Sequence, residues 1–324
     1  CIRDRHWRVT NATLPEMQGW RVIAFAPSDP YIVYAGTGAF YSAGGFDPNI
    51  KASGIFISKD GGSSWQDANN EVSQNAHISD LGVDPNDPMR VFAASPTMGL
   101  LKTTDGGENW NVVTGFPSQR RPLSVNIHPL NTEVVYVGMD FGGLYKSLDG
   151  GVSWKAVASG IPPEGTFTSI VFNPADPSIV YASMMEGGVY LSDDDGETWR
   201  VINNGLRTRA VNELAISSDG LHLYAATEGE GVFRLDVNGL PPNPAPAAKS
   251  EETLMSESES SGTQQDESGI GEKTEVQEQE IQESEPPAAA GEPELDDKGV
   301  GFPCLGGIAL LPLIGFVWEL KRRR

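Results

Sequence analysis

One eight-residue pattern occurs four times and constrains what this chain can fold into. It reads Ser or Thr, any residue, Asp, any residue, Gly, any two residues and Trp, in SKDGGSSW (58–65), TTDGGENW (103–110), SLDGGVSW (147–154) and SDDDGETW (192–199). The four tryptophans follow one another at intervals of 45, 44 and 45 residues. A repeat of this length indicates small structural units that bury their apolar surfaces against one another.

The sequence between the copies predicts four short β-strands per unit, which we name A to D in chain order. Runs rich in Val, Ile and Tyr alternate with Pro, Asp and Gly turns, as in FTSIVFNPADPSIVYASM (167–184). Four strands in about 45 residues is the size of a propeller blade. The chain opens with a lone D strand at 6–11, continues through four blades and ends with strands A to C of a fifth at 211–236.

We therefore predict an all-β propeller of four-stranded antiparallel blades. Five blades are counted, and the number rises to roughly six to eight if the N-terminus is incomplete. The N-terminal D strand would complete the fifth blade and leave no sheet edge exposed.

The residue types of the repeated pattern have a structural interpretation. A short Asp side chain accepts backbone N–H groups in a tight turn, Gly permits a positive φ, and Trp packs into the blade. Each copy lies on a different blade, so the copies cannot form one catalytic centre. Each turn also offers too few carboxylates for calcium, which takes about six to eight oxygen ligands. The residues given this structural role are Asp60, Gly62, Trp65, Asp105, Gly107, Trp110, Asp149, Gly151, Trp154, Asp194, Gly196 and Trp199.

The pattern S/T-x-D-x-G-x-x-W resembles the Asp-box, also called the BNR repeat. Residues 1–238 accordingly resemble the Asp-box propellers, a superfamily that includes sialidases, xyloglucan-degrading glycosidases, sortilin-type receptors and photosystem II assembly factors. The resemblance implies that the Asp-box is a folding element away from the ligand face, and therefore that it indicates fold rather than activity. The chain departs from the pattern at Trp7, which Ile2 and Asp4 precede in place of Asp and Gly, and in the last blade, which has no box.

Charge and composition divide the chain into three parts. The net charge of −21 disfavours nucleic acid as a partner. Residues 249–298 hold sixteen Asp or Glu against three Lys, and this stretch has almost no aromatic residues. Such a segment buries too little apolar surface to fold. We predict a propeller over 1–239, a disordered acidic linker rich in Pro, Glu, Ser and Gln over 240–299, and a third segment over 300–324.

The third segment has the composition of a transmembrane helix with a basic tail. The 19 residues 302–320 carry one charge, Glu319, and KRRR follows at 321–324. About 20 apolar residues span a bilayer, and a basic cluster stays on the cytoplasmic side. We predict a cell-membrane protein whose propeller is extracytoplasmic.

Two cysteines stand at opposite ends of the chain. The 302–307 stretch, FPCLGG, resembles the prokaryotic sorting tails, which implies that Cys304 marks processing or lipidation and that a cleaved tail leaves a surface-attached form. A plain tail anchor is the alternative. Cys1 is either the lipid-bearing N-terminus of a processed form or the first residue of an incomplete chain.

Candidate functional residues lie in the loops that do not repeat. Asp140 in GMDFGG (138–143) is the best acidic candidate, because this loop is similar to the one where xyloglucanases carry a catalytic Asp. A glycosidase needs two carboxylates about 5–10 Å apart. The four histidines show no HxH or HExxH spacing and no phosphate-binding Gly motif occurs, so neither a metal nor a cofactor is predicted. The candidate binding residues are Arg120, Arg121, Phe141, Tyr41, Met184, Glu186 and Glu228.

Two functions follow from these residues, and both stay open at this point. The first is a surface-displayed, membrane-anchored propeller that binds a protein or glycan partner without catalysis, which includes assembly of a membrane complex. The second is a xyloglucanase-like or sialidase-like glycoside hydrolase that uses loop carboxylates such as Asp140.

Overall fold

The fold is built from β-strands alone in the part of the chain that the computed structural model describes. The strands form four four-stranded antiparallel sheets, one three-stranded sheet and one small hairpin. The five sheets are the five blades of a propeller, which confirms the predicted fold class. The described residues are 14, 19–39, 41–42, 45–46, 50–117 and 121–240.

Strand order within each blade follows chain order from the innermost strand A to the outermost strand D. Blade 1 contains β1 (Trp20–Ala26), β2 (Asp29–Thr37), β5 (Ile55–Ser58) and β6 (Gln66–Asp67), with the hairpin β3 (Tyr41–Ser42) and β4 (Gly45–Phe46) inserted between its strands B and C. Blade 2 contains β7 (Asp80–Val83), β8 (Val91–Ser95), β9 (Gly99–Thr103) and β10 (Asn111–Val112).

Blades 3 to 5 repeat the same plan. Blade 3 contains β11 (Arg121–Ile127), β12 (Val135–Asp140), β13 (Leu144–Ser147) and β14 (Lys155–Ala156). Blade 4 contains β15 (Thr166–Phe172), β16 (Val180–Met185), β17 (Gly188–Ser192) and β18 (Arg200–Val201). Blade 5 contains β19 (Val211–Ile216), β20 (His222–Thr227) and β21 (Gly231–Asp236).

Both faces of a blade are apolar because each face packs against a neighbouring blade. On strand B of blade 4, Tyr181 points to the core shared with blade 5, and the adjacent Ala182 points to the core shared with blade 3. Successive residues of a strand alternate between the two faces, so a strand buried on both sides is apolar throughout. One large aromatic side chain therefore recurs on every strand B of blades 1 to 4, fully buried, as Tyr34, Phe92, Tyr136 and Tyr181.

The innermost strands give the order of the blades around the axis. Strand β1 packs on β7, β7 on β11, β11 on β15 and β15 on β19. Among the described residues, no comparable packing joins β19 of blade 5 to β1 of blade 1. The described residues therefore contain four packed boundaries between successive blades.

Strand D is shorter than the sequence suggests, with two residues in each of blades 1 to 4. It begins one residue after the Asp-box Trp, and it is the outermost strand, so it has a ladder partner on one side only. The predicted D strand at 6–11 and the predicted linker and membrane segments lie outside the described residues. Among the residues described, no helix is long and apolar enough to cross a bilayer.

Candidate functional site

The four Asp-boxes are turns between strands C and D that share one set of hydrogen bonds. In the fourth, Ser192 Oγ donates to Asp194 Oδ1 (2.7 Å) and accepts from the N–H of Gly196 (2.8 Å). The N–H of Thr198 donates to the same carboxylate oxygen (2.9 Å). Gly196 has φ +81°, which residues with a side chain rarely adopt. Equivalent bonds are centred on Asp60, Asp105 and Asp149.

These internal hydrogen bonds occupy the carboxylate oxygens of the Asp-boxes. Hydrogen bonds from the flanking hydroxyl, amide and backbone N–H groups lower the pKa of Asp60, Asp105 and Asp149 to about 2. Partial burial opposes the effect at Asp194, yet the bonds from Thr198 and from the box serine still lower its pKa. Each box therefore holds an ionised carboxylate saturated by its own turn, which suits a folding element.

The Asp-boxes lie beside the turns between strands A and B of their own blades. The N–H of Gly150 in the third box donates to Glu133 O (2.9 Å), and the N–H of Asp195 in the fourth donates to Ser178 O (3.0 Å). The buried Trp110 links neighbouring blades, because its indole N–H donates to Ala68 O of blade 1 (2.8 Å). The boxes thus occupy the end of each blade opposite to the loops between strands B and C.

Those B–C loops are joined to the connections that lead into the next blade. In blade 3, the N–H groups of Gly142 and Gly143 both donate to Gly165 O, at 3.3 and 2.9 Å. In blade 4, the N–H of Gly188 donates to Arg209 O (3.0 Å). The non-repeating loops of adjacent blades consequently form one continuous surface, which we call the loop face.

Asp140 is the last residue of β12 and is 7% exposed, so its side chain lies beneath the surface of the loop face. Its Oδ1 accepts from Thr166 Oγ1 (3.3 Å), and its Oδ2 lies 3.7 Å from Nη1 of Arg121. Thr166 Oγ1 also accepts from the N–H of Phe141 (3.1 Å). Phe141 follows at φ +47° with its side chain 65% exposed. The loop therefore presents an aromatic ring and keeps the carboxylate underneath.

The remaining sequence candidates fall into two groups. Glu186 and Glu228 are exposed in the B–C loops of blades 4 and 5, Glu186 at φ +64°, and Met184 is half-buried against the core of blades 3 and 4. Arg120, the side chain of Tyr41, Cys1 and Cys304 lie outside the described residues.

A second group of ionisable side chains lies where the innermost strands converge. Asp80 on β7, Glu213 on β19 and Arg21 on β1 interact electrostatically. Burial, and then repulsion by Glu213, raises the pKa of Asp80 to about 7. Glu213 is partly desolvated by the surrounding strands, which raises its pKa although the residue remains in contact with solvent, and Ser169 Oγ donates to its Oε1 (2.6 Å). Asp80 accepts from the N–H groups of Val125 (2.9 Å) and Leu81 (2.8 Å). We call Arg21, Asp80 and Glu213 the axial cluster.

In the described part of the chain, no three His, Cys, Asp or Glu side chains stand close enough to hold a metal ion.

The model of the photosynthesis system II assembly factor YCF48 family matches residues 50–233, more than half of the chain. The chain belongs to this family.

Part of this YCF48-family chain is also similar in sequence to enzymes. A xyloglucanase from Paenibacillus sp is 30% identical over 152 residues, which make up 47% of this chain and 14% of the relative. An oligoxyloglucan-reducing end-specific xyloglucanase from Emericella nidulans is 30% identical over 152 residues, with 43% of this chain and 18% of the relative covered. The chain thus spans less than a fifth of either relative.

The fold has relatives among solved structures. The crystal structure of an ancestral GH74 enzyme superposes with a TM-score of 0.53 at 22% identity, over 68% of this chain and 28% of that one. At this identity the likeness shows the fold of the YCF48-family chain and does not extend to an activity.

Sequence reasoning missed the axial cluster of this YCF48-family chain, although the repeat contains its signal. Asp80 and Glu213 occupy the strand-A position that Ser124 and Ser169 fill in blades 3 and 4, each opposite a small residue on strand B. An acid in place of a serine at one repeat position marks a departure from the structural consensus. The two acids meet only because strands A converge on one axis.

Proposed function

We propose that this chain is a non-catalytic binding and assembly propeller, held at a membrane with its loop face turned toward a protein partner. The proposal rests on the family of the chain, whose description is that of an assembly factor. It rests equally on the chemistry of the loop face, which offers an aromatic ring and a neighbouring guanidinium.

One observation carries the proposal. The loop of blade 3 holds the carboxylate of Asp140 beneath the surface, bonded to Thr166 and close to Arg121, and turns Phe141 outward. A catalytic carboxylate must reach the substrate, whereas exposed aromatic and arginine side chains are the residue types enriched at protein interfaces. The geometry of this loop therefore suits recognition better than acid–base chemistry.

Site-specific photo-crosslinking in cells that produce the full chain tests the binding surface. A photoreactive phenylalanine analogue replaces Phe141, and a matched control replaces Val152, which is equally exposed on the opposite side in the third Asp-box turn. We expect discrete protein adducts from position 141, weakened by Arg121→Ala, and none of the same adducts from position 152. Identical adducts from both positions, or none from position 141, would contradict a specific loop-face partner.

The membrane attachment is a separate part of the proposal and rests on the sequence of 302–320 alone. Replacing Leu310 and Leu313 with Arg inserts two charges into this apolar stretch, at a cost of several kcal/mol for bilayer insertion. We expect the unmodified chain to stay with membranes through an alkaline wash and the double variant to be released. Release of both chains would remove the anchor from the proposal.

A second candidate function is glycoside hydrolysis of a xyloglucan-type substrate, as the names of the curated relatives suggest. The axial cluster is the candidate site for it, because Asp80 and Glu213 interact there and neither residue is fully buried. Asp80, with its pKa raised to about 7, could donate a proton near neutral pH, and Glu213 supplies a second carboxyl group. The test is release of reducing sugar from xyloglucan. Turnover by the full chain that Asp80→Asn or Asp140→Asn abolishes supports the enzyme; no turnover on xyloglucan or on related glycans excludes it.

A further inference from the structure

The boundary between blades 2 and 3 contains a largely buried arginine, at the end of the blades where the Asp-boxes lie. The guanidinium of Arg90 pairs with the carboxylate of Asp84 (2.6 Å) and donates to Gly150 O in the third Asp-box (3.3 Å). It also lies over the ring of Phe92, 5.7 Å from the centroid. Lys102 Nζ donates to the carbonyl of Gly150 as well (2.9 Å), so two cations fill this boundary.

Backbone hydrogen bonds identify the corresponding positions one boundary further on. The N–H of Asp84 donates to Arg90 O (3.0 Å), and in blade 3 the N–H of His128 donates to Val134 O (2.9 Å). Each bond closes the turn between strands A and B of its blade. Val134 therefore occupies the position that an arginine holds in blade 2, and His128 occupies the position of Asp84.

Strand C of blade 3 has the lysine of this arrangement. Lys146 lies opposite Tyr136, as Lys102 lies opposite Phe92. Its Nζ donates to Asp195 O in the fourth Asp-box (2.5 Å) and lies 5.6 Å from the ring centroid of Tyr136. The boundary between blades 3 and 4 thus has the lysine and the aromatic ring, with a valine in place of the arginine.

A cavity of about 310 Å³ lies at this boundary, and Val134 is one of its lining residues. The buried rings of Tyr136 and Phe172 also line it, together with the exposed side chains of Asn131 and Asp195, so the cavity opens to solvent. Pockets of roughly 300–1,000 Å³ are the usual size for small ligands. The space next to the valine is therefore large enough for a planar organic group.

The boundaries on either side show that the valine and the lysine belong to different arrangements. In blade 4 the two positions hold Ile179 and Leu191, and in blade 1 they hold Ile32 and Ile57, all packed in apolar cores. Blade 2 has a cation at both positions. Among the four boundaries that the described residues form, the one after blade 3 combines an aliphatic residue with a lysine.

The charges around the cavity favour a cation. Three carboxylates act on Tyr136, and Lys146 faces them with its Nζ 3.5 Å from Glu197 Oε1. In the preceding boundary three carboxylates also act on Lys102, together with a second cation, Arg90. The carboxylates are those of Asp194, Asp195 and Glu197 beside the cavity, and those of Asp84, Glu133 and Asp149 in the preceding boundary. The cavity is thus one positive charge short of its filled counterpart.

We propose that this cavity binds a guanidinium group, supplied by an arginine side chain of a partner protein or by free arginine. The planar cation lies against the rings of Tyr136 and Phe172, where Arg90 lies against Phe92 one boundary earlier. The carboxylate of Asp195 at the mouth replaces Asp84 as its ion-pair partner. The site is at the end of the blades opposite to the loop face, so it is a second binding surface.

Isothermal titration calorimetry with the full chain in detergent tests the site. The probes are a blocked tripeptide with a central arginine, the same peptide with lysine, and free arginine. We expect the lysine peptide to bind at least about tenfold more weakly, because an ammonium lacks the planar fork of a guanidinium. Equal binding of free arginine assigns the site to a small guanidinium compound, and tighter binding of the peptide assigns it to a protein partner; both support the proposal. No binding of the arginine peptide, or equal binding of the lysine peptide, overturns it.

Val134→Arg places a guanidinium in the cavity from within the chain. We expect this variant to lose about tenfold or more in affinity for the arginine peptide and to keep or raise its midpoint of thermal unfolding. Ile179→Arg, at the corresponding position of a filled apolar boundary, is the matched control and should lower the midpoint. Unchanged peptide affinity in the Val134→Arg chain, or a midpoint lowered as far as in Ile179→Arg, overturns the proposal.

Two further variants separate the cavity from general charge effects. Asp195→Asn removes the carboxylate at the mouth while keeping a residue type that tolerates the positive φ of this position (+58°), and should weaken peptide binding by about threefold or more. Val112→Arg adds the same charge at an exposed site on blade 2 and should bind the peptide like the unmodified chain. Equal affinity in the Asp195→Asn and unmodified chains would contradict the assigned ion pair.

Discussion

Asp80→Asn is expected to stabilise the propeller at alkaline pH and to do so much less in mild acid. The pKa of Asp80 rises from its ordinary 3.8 to about 7 in the folded protein, first through burial and then through Glu213. Since the folded state holds this proton more tightly than the unfolded chain, the contribution of Asp80 to stability is highest below pH 3.8 and is lost as the pH rises through 7.

The size of the effect follows from the two pKa values. A pKa difference of about 3.2, at about 1.36 kcal/mol for each pH unit, gives roughly 4 kcal/mol over the whole range, of which roughly 2–3 kcal/mol falls between pH 5 and pH 8. Asn does not ionise. It leaves one of the N–H donors of Val125 and Leu81 without its acceptor, a pH-independent cost of about 1 kcal/mol.

Thermal unfolding followed by circular dichroism at pH 5 and pH 8 measures the prediction. The midpoint temperature of the Asn variant minus that of the unmodified chain should be roughly 5–10 °C larger at pH 8 than at pH 5. Asp67→Asn, at an exposed site on β6, serves as the control and should show the same difference at both pH values. An equal difference at both pH values for Asp80→Asn would refute the assignment of a half-buried, proton-holding carboxyl to the axial cluster.

Two further predictions concern stability, measured as the free energy of unfolding in denaturant. Gly196→Ala places a Cβ 2.0 Å from Tyr136 Oη and should lower the free energy of unfolding by about 3 kcal/mol or more. The control is Gly205→Ala, which has a similar positive φ with nothing within 4 Å and should lower it by about 1 kcal/mol. Equal losses in the two variants would argue against the clash. Arg90→Ala leaves buried Asp84 without the guanidinium 2.6 Å away and should cost about 3 kcal/mol, and removing both side chains should cost less than removing Arg90 alone.

The repeat allowed most of the fold to be predicted from sequence. The interval between Trp65, Trp110, Trp154 and Trp199 sets the blade length, and the alternation of apolar runs with Pro and Asp turns sets four strands per blade. Strand D was predicted too long. In blade 4 the strand ends at Val201, although the N–H of the next residue, Ile202, still donates to Val189 O (2.9 Å) and its side chain packs into the next core; sequence alone does not show where the pairing stops.

The candidate site was less predictable, because it depends on relations between blades. The sequence identifies Asp140 as an acid beside a Gly-rich loop, but it does not show that Thr166, 26 residues later, contacts its carboxylate from the next blade. The meeting of Asp80 with Glu213 likewise requires convergence of strands from blades 2 and 5. The sequence period predicts the structure that all blades share, whereas the candidate functional site is formed by residues that differ from one blade to the next.

The hydrogen bonds that tie each B–C loop to the connection after it have an evolutionary consequence. Gly142 and Gly143 both donate to Gly165 O, and a Cβ on Gly143 would lie 3.0 Å from Pro163 O. Neither segment can change its backbone path without the other. Related chains that recognise different partners should therefore vary at 141–143 and 162–165 together, as one inherited unit, while each Asp-box stays the same on its own.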